Sequence, residues 1–287
     1  DRIVPGAPPT EDKEKIESEL GIRDDLMIIA EVYRLWAIES GSEKVKNILS
    51  FAKTDTGVMI APDITKFREL KLRLLNGTHT LSCALAILAG FETVKESMDD
   101  ADIVGFMEGL TKQNIIPVLI DDSISEGEAT VFAASVLDRF RNPSIKHKWI
   151  SISMQYASKM KLRNLPVLEA YYKRFGKVPT WFALGFAAFI LFMKVKSNEE
   201  GKFLGEANGA TYQVTDDKAA VFAEHWKKES NDSVIMSILK DQTLWDQDLT
   251  QITGLAEQID FFLESILNHG SKATIKLLQA DKITANS

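Results

Sequence analysis

The chain has 287 residues, 45% of them hydrophobic and 26% charged, with a formal net charge of −7 and an isoelectric point near 5.3. That balance suits a globular protein with a substantial buried core. The acidic charge argues against nucleic-acid and membrane-surface partners, and the single cysteine, Cys83, excludes an intrachain disulfide and leaves no zinc-ligand pattern.

The chain opens on Asp1-Arg2-Ile3-Val4-Pro5 without a methionine, which reads as a processed or truncated product. Its first residues are rich in Asp, Glu and Lys, so no signal peptide is expected and a reducing cytoplasm fits. Residues 5–15, with Pro5, Pro8 and Pro9, are expected to form a loop, followed by a short helix over 16–20. Strand material is expected within 26–38 and at Gly57–Ala61, ended by Pro62. This first stretch is the only expected β portion. Asp63 is placed to cap a helix running to Ala89 and stopped by Gly90. Gly77 lies inside it, as a kink or a point of close ligand approach.

Helical spacing then predicts helices at 94–99, 101–113, 125–140, 144–161, 164–175, 180–195, 216–228, 232–240, 248–268 and 270–279. The run from Trp181 to Met193 is the longest apolar one. It falls short of the ~20 residues that span a bilayer, so a buried core helix is expected. Residues 201–212 are expected to form a loop. The expected fold class is mainly α with a small β appendage near the N-terminus: a connecting segment over 1–62 and a helical domain over 63–287. No glycine-rich phosphate loop is present, so any nucleotide-binding fold must lie outside this chain.

The most informative stretch is Lys71-Leu72-Arg73-Leu74-Leu75-Asn76-Gly77-Thr78-His79. At ~100° per residue, Lys71, Asn76 and His79 share less than half the circumference of an α-helix. Their types suit carbonyl reduction. A desolvated lysine moves a proton, an asparagine amide polarises a carbonyl, and a histidine holds a hydroxyl. Spacing alone better fits a solvated lysine, a polar residue beside a kink and a core histidine.

This stretch resembles the signature of the mannitol dehydrogenase family, the long-chain polyol and sugar-acid dehydrogenases. The resemblance implies a proton-transfer role for Lys71, carbonyl polarisation by Asn76 and substrate orientation by His79. Asp1–Pro5 resembles the segment that closes the family's nucleotide-binding half, and implies a further substrate-touching asparagine ahead of Asp1. A second block, Arg139-Phe140-Arg141-Asn142-Pro143-Ser144-Ile145-Lys146-His147, is similar to another family element. The family follows it with Asp-Gly-Ser-x-Lys. Here Gln155-Tyr156-Ala157-Ser158-Lys159 keeps only the lysine, and Ser151 stands where mannitol-type members have arginine. These departures, and Trp245–Gln251 with Gly254-Leu255, resemble the branch that reduces tagaturonate to altronate in hexuronate catabolism.

The resemblance therefore implies an oxidoreductase with a multi-helical C-terminal domain of the 6-phosphogluconate dehydrogenase type. It implies NAD held mainly by the protein's own N-terminal Rossmann domain, no metal, and a sugar-acid substrate held by Lys159 with His147 and Ser151. Arg163 is a further candidate for the carboxylate. Taken singly, Asn142-Pro143 also fits a helix-entry turn, His147 a helix terminus, and Lys159–Arg163 a solvated charge run. Two alternatives stand beside this: a fructuronate/mannonate or mannitol-type polyol substrate, and a helical interaction module without activity when isolated.

Overall fold

The computed structural model describes residues 5–30, 33–143, 146–228 and 231–285. The chain divides into two compact units, residues 1–68 and 69–287.

In the first unit, β1 (Pro5–Gly6) pairs antiparallel with β2 (Ile29–Ala30). Between them lies α1 (Thr10–Leu20). Residues 10–15 are thus helical rather than loop, because Pro9 stands ahead of the first turn, where a proline costs no hydrogen bond. β3 (Trp36–Glu39) pairs parallel with β4 (Val58–Ala61) through α2 (Glu43–Ile48) and a 3-10 turn at Ser50–Lys53. The Arg34–Asp55 ion pair at 2.9 Å ties the start of β3 to the approach to β4. Asp63 accepts from the Thr65 amide at 2.7 Å and so caps α3 (Thr65–Glu69), as its position in the sequence predicts.

The second unit is built of helices. A widened π-helical segment, π1 (Leu70–Gly77), leads into α4 (Thr78–Leu88). Then come α5 (Val94–Ser97), α6 (Ala101–Leu110), π2 (Thr111–Ile115), α7 (Ile116–Leu119) and α8 (Glu126–Phe140). Two short turns, α9 (Trp149–Ile152) and α10 (Tyr156–Lys159), lead to π3 (Met160–Asn164) and α11 (Leu165–Phe175). α12 (Thr180–Phe192) precedes a three-stranded sheet of β5 (Lys196–Ser197), β6 (Phe203–Ala207) and β7 (Ala210–Val214). The chain continues through α13 (Ala219–Lys228), α14 (Asn231–Lys240), α15 (Gln242–Trp245), a 3-10 turn at Leu249–Gln251, α16 (Leu255–His269) and α17 (Ser271–Ala285).

The core forms around α12, which packs on α4 and α16. α12 is apolar on every side, and Phe182, Phe186 and Phe189 are fully buried, as is Trp245 beside them. None of the described helices is long and apolar enough to cross a membrane. α4 is almost as enclosed: of its residues from Thr78 to Ala86, only His79 keeps an opening to solvent.

Three differences from the sequence-based expectations matter. The stretch 201–212 holds a β-hairpin, turned by Asn208 and Gly209 at φ +52° and +74°, so the β content is not confined to the first 62 residues. That dipeptide supplies the two positive φ values a tight hairpin needs. The helix expected over 144–161 is broken around Ser153–Gln155, where Gln155 takes φ +52° and its amide bonds Thr215 O at 2.9 Å. Finally, the helix expected over 63–89 is not α-helical throughout: π1 interrupts it. π2 and π3 each end two residues ahead of a proline, Pro117 and Pro166. A proline ring clashes with the carbonyl one turn back, which widens that turn.

Candidate active site

The π geometry changes how Lys71 and Asn76 relate. In an α-helix, residues five apart diverge by ~140°. In a turn wound by i→i+5 hydrogen bonds, they come round to the same side. Lys71 and Asn76, both half-buried in π1, therefore share one face more closely than α-helical spacing implies. His79 follows three residues after Asn76, in the first turn of α4. The Asn76 carbonyl accepts from Thr80 Oγ1 at 2.7 Å, which pins the junction between the two segments.

His79 sits in an aromatic box. Its ring lies flat on Phe140, with centroids 3.8 Å apart and planes 14° apart. The rings of His147 and Trp149 meet it edge-on at 5.6 and 5.9 Å. His79 Nε2 is sealed from solvent and has no hydrogen-bond partner. Burial holds the imidazole well below its usual pKa, and the nearby charges of His147, Arg163, Arg139 and Lys159 push the same way. His79 is thus a neutral ring with an unpaired polar atom, which is costly unless something completes it.

A cationic group gathers around that ring. Lys159, at the end of α10, donates from Nζ to Ile152 O at 2.8 Å. Desolvation and the charge of Arg163 lower its pKa, while Asp216 acts the other way. Arg163, half-buried in π3, donates to Thr80 Oγ1 at 3.2 Å, and desolvation lowers its pKa too. Neither Lys159 nor Arg163 forms an ion pair with a described carboxylate. His147 keeps one side in solvent, yet its ring edge meets His79, and partial desolvation followed by the charge of Lys159 lowers its pKa. Ser151 stands exposed on α9.

Some participants carry no assigned role in the sequence reading. Phe140 and Trp149 form the walls of the box, and Phe140 lies inside the quoted Arg139–His147 block. Tyr156, a departure from the family pattern that bears on the choice of substrate, is fully buried. Its hydroxyl donates to Thr80 O at 2.6 Å and accepts from the Ala84 amide at 3.0 Å. It thereby ties the segment bearing Lys159 to the backbone of α4. Cys83 is buried with its thiol against Trp149 O at 3.2 Å, and burial raises its pKa, so it stays protonated and unreactive. Asp1–Val4, and Ser144 and Ile145 of the second block, lie outside the described residues.

Comparison with known proteins agrees with this placement of elements. Residues 63–267 match the family model of the mannitol dehydrogenase C-terminal domain. The altronate oxidoreductase of Enterobacter sp. (strain 638) is 36% identical over 285 residues, covering 97% of this chain and 56% of that protein. The altronate oxidoreductase of Shigella flexneri is 35% identical over the same shares. Among solved structures, the Pseudomonas fluorescens mannitol 2-dehydrogenase ternary complex with NAD and D-mannitol superposes with a TM-score of 0.75 at 21% identity, covering 97% of this chain and 53% of that one. A substrate-free D-sorbitol dehydrogenase gives 0.73 at 20%, covering 96% and 53%. The two structures share the mainly α fold. The chain spans about half the length of the relatives it matches.

Proposed function

The chain belongs to the mannitol dehydrogenase family through its C-terminal domain, and from that membership we propose that it is the substrate-handling portion of an NAD-dependent reductase of a keto sugar acid, converting tagaturonate reversibly to altronate. The described residues carry no glycine-rich phosphate loop, and the β3–α2–β4 crossover has only Gly41 between its strand and its helix, so none of them is assigned to NAD. In this reading the cofactor is held by a Rossmann domain outside residues 1–287, and bound NADH supplies the hydride.

This chain's own residues then do three things. Lys71 protonates the oxygen of the carbonyl as it becomes an alkoxide. The Asn76 amide donates to that same oxygen and stabilises its growing charge. His79, neutral and with Nε2 unpaired, orients a neighbouring hydroxyl. Lys159, with Arg163, His147 and Ser151, holds the sugar acid. The observation that carries the choice of a sugar acid is the cationic group itself: Lys159 and Arg163 both reach His79 with their charge, and no described carboxylate pairs with either. The altronate oxidoreductases among the relatives support the same substrate.

The test uses the full-length protein and NADH oxidation with tagaturonate and fructuronate in competition. The expected result is preference for tagaturonate, with Lys71→Ala lowering kcat by about a hundredfold or more while NADH binding is kept. Near-normal turnover by Lys71→Ala would sink the lysine mechanism. Preference for fructuronate would move the protein to the mannonate-forming branch.

A further inference from the structure

Two widened turns pack against each other in the helical unit: π1, with Lys71 and Asn76, and π3, which follows Lys159 and holds Arg163. Where a helix passes from α to π winding, backbone carbonyls lose their regular donors and need others. In π3 the deficit has a second cause. Pro166 has no N–H, so it cannot serve Leu162 O, the carbonyl four residues back.

The donor comes from π1. Arg73 Nη1 donates to Leu162 O and to Arg163 O, each at 2.8 Å. Its Nε pairs with Glu69 at 3.0 Å, and the side chain is only 12% exposed. The exchange runs both ways. Asn164, the last residue of π3 and fully buried, donates from Nδ2 to the carbonyl of Gly77, the last residue of π1, at 3.0 Å. A Cβ on Gly77 would stand 3.3 Å from that nitrogen, tighter than ordinary contact. The group that approaches Gly77 closely is therefore Asn164.

We propose that Arg73 and Asn164 are positioning residues, a reciprocal clamp that fixes the Lys71–Asn76 face of π1 against the Arg163-bearing turn of π3; as a claim about catalysis it rests on the function proposed above. Both anchor points fall on the turns that bear site residues: Arg73 holds the carbonyl of Arg163 itself, and Asn164 holds the residue after Asn76. The planar guanidinium serves both carbonyls from Nη1 while its Nε holds Glu69, a divided geometry that the single nitrogen of a lysine does not reproduce. Displacing one turn against the other by about 1 Å moves Arg163 off the substrate carboxylate it holds, and a misplacement of that size costs up to roughly a hundredfold in kcat/KM.

The experiment compares Arg73→Ala, Arg73→Lys and Asn164→Ser with wild type in the full-length protein. Amide hydrogen exchange is followed over residues 70–77 and 160–165, and KM is measured separately for tagaturonate and for NADH. Each substitution is expected to speed exchange in both turns rather than in its own alone, by about tenfold or more. The tagaturonate KM is expected to rise about tenfold with the NADH KM unchanged, and Arg73→Lys to recover only part of the loss. A merely structural role would lower the active fraction, and with it kcat, without moving KM. Exchange confined to the mutated turn, or a tagaturonate KM within about twofold of wild type, would overturn the proposal. If Arg73→Ala does not fold, Arg73→Lys and Asn164→Ser decide on the same readouts. A wild-type protein inactive on sugar acids refutes the functional reading instead, and the exchange data then judge the clamp alone.

Discussion

His79 lies flat against Phe140, their ring centroids 3.8 Å apart. Burial of the ring in this aromatic box favours the uncharged imidazole, and the surrounding cations oppose protonation further. The sign of the resulting pH dependence follows. An unfolded chain takes up a proton on this histidine near 6.5, while the folded protein resists until well below it. The unfolded state therefore binds more protons as pH falls, and the stability held by a neutral His79 is complete above 6.5 and is lost below it. His147 contributes in the same direction. The thermal midpoint of the wild-type protein should drop between about pH 7 and about pH 5, and more steeply than that of His79→Phe. Parallel curves for the two proteins would mean that His79 is not the group responsible.

Lys159 and Arg163 form no ion pair with a described carboxylate, although the charge of Asp216 reaches Lys159, and in the proposed reading a substrate carboxylate meets both cations. Lys159→Gln keeps much of the side-chain volume and removes the charge. A hydrogen bond to a charged group contributes about 1.5–3 kcal/mol, so the KM for a sugar acid should rise by roughly ten- to a hundredfold. The change should be far smaller for a neutral ketohexose, since it has no carboxylate to lose. Equal losses on the two substrates would assign Lys159 to folding rather than recognition.

How much of this was legible in the sequence depends on the physical signal each feature leaves. α12 was plain, because a run that is apolar on every side has nowhere to go but the core. The Asp63 cap was plain for the same kind of reason, an acceptor just ahead of a helical run. The hairpin at Asn208-Gly209 left a local signal, but its strands alternate too weakly to draw attention to it. π1 left almost none: apolar spacing over 70–77 fits α and π winding alike, and the segment holds no proline. π2 and π3 were more accessible through Pro117 and Pro166. Lys159, His147 and Arg163 could be named from the sequence, whereas Phe140 and Trp149 meet His79 only once the chain is folded. Ser151, in the place of another family member's arginine, is exposed in this fold.

Tyr156 offers a test of how the Lys159 segment is tied to α4. Its hydroxyl donates to Thr80 O and accepts from the Ala84 amide, two groups four residues apart that make one rung of an α-helix. The ring is held by Phe189 and Phe192 at 4.7 and 5.6 Å, so it cannot withdraw when the oxygen is removed. Burial also keeps the phenol protonated, so the bond to Thr80 O persists at any working pH. Tyr156→Phe leaves the apolar packing in place and deletes only the two hydrogen bonds. The cost should be about 1–2 kcal/mol, read as a lower denaturant midpoint with an unchanged m-value. The Ala84 amide should exchange faster than its neighbours in α4. A midpoint equal to wild type would show that α4 closes the rung by itself, and that the hydroxyl adds nothing to the junction between α10 and α4.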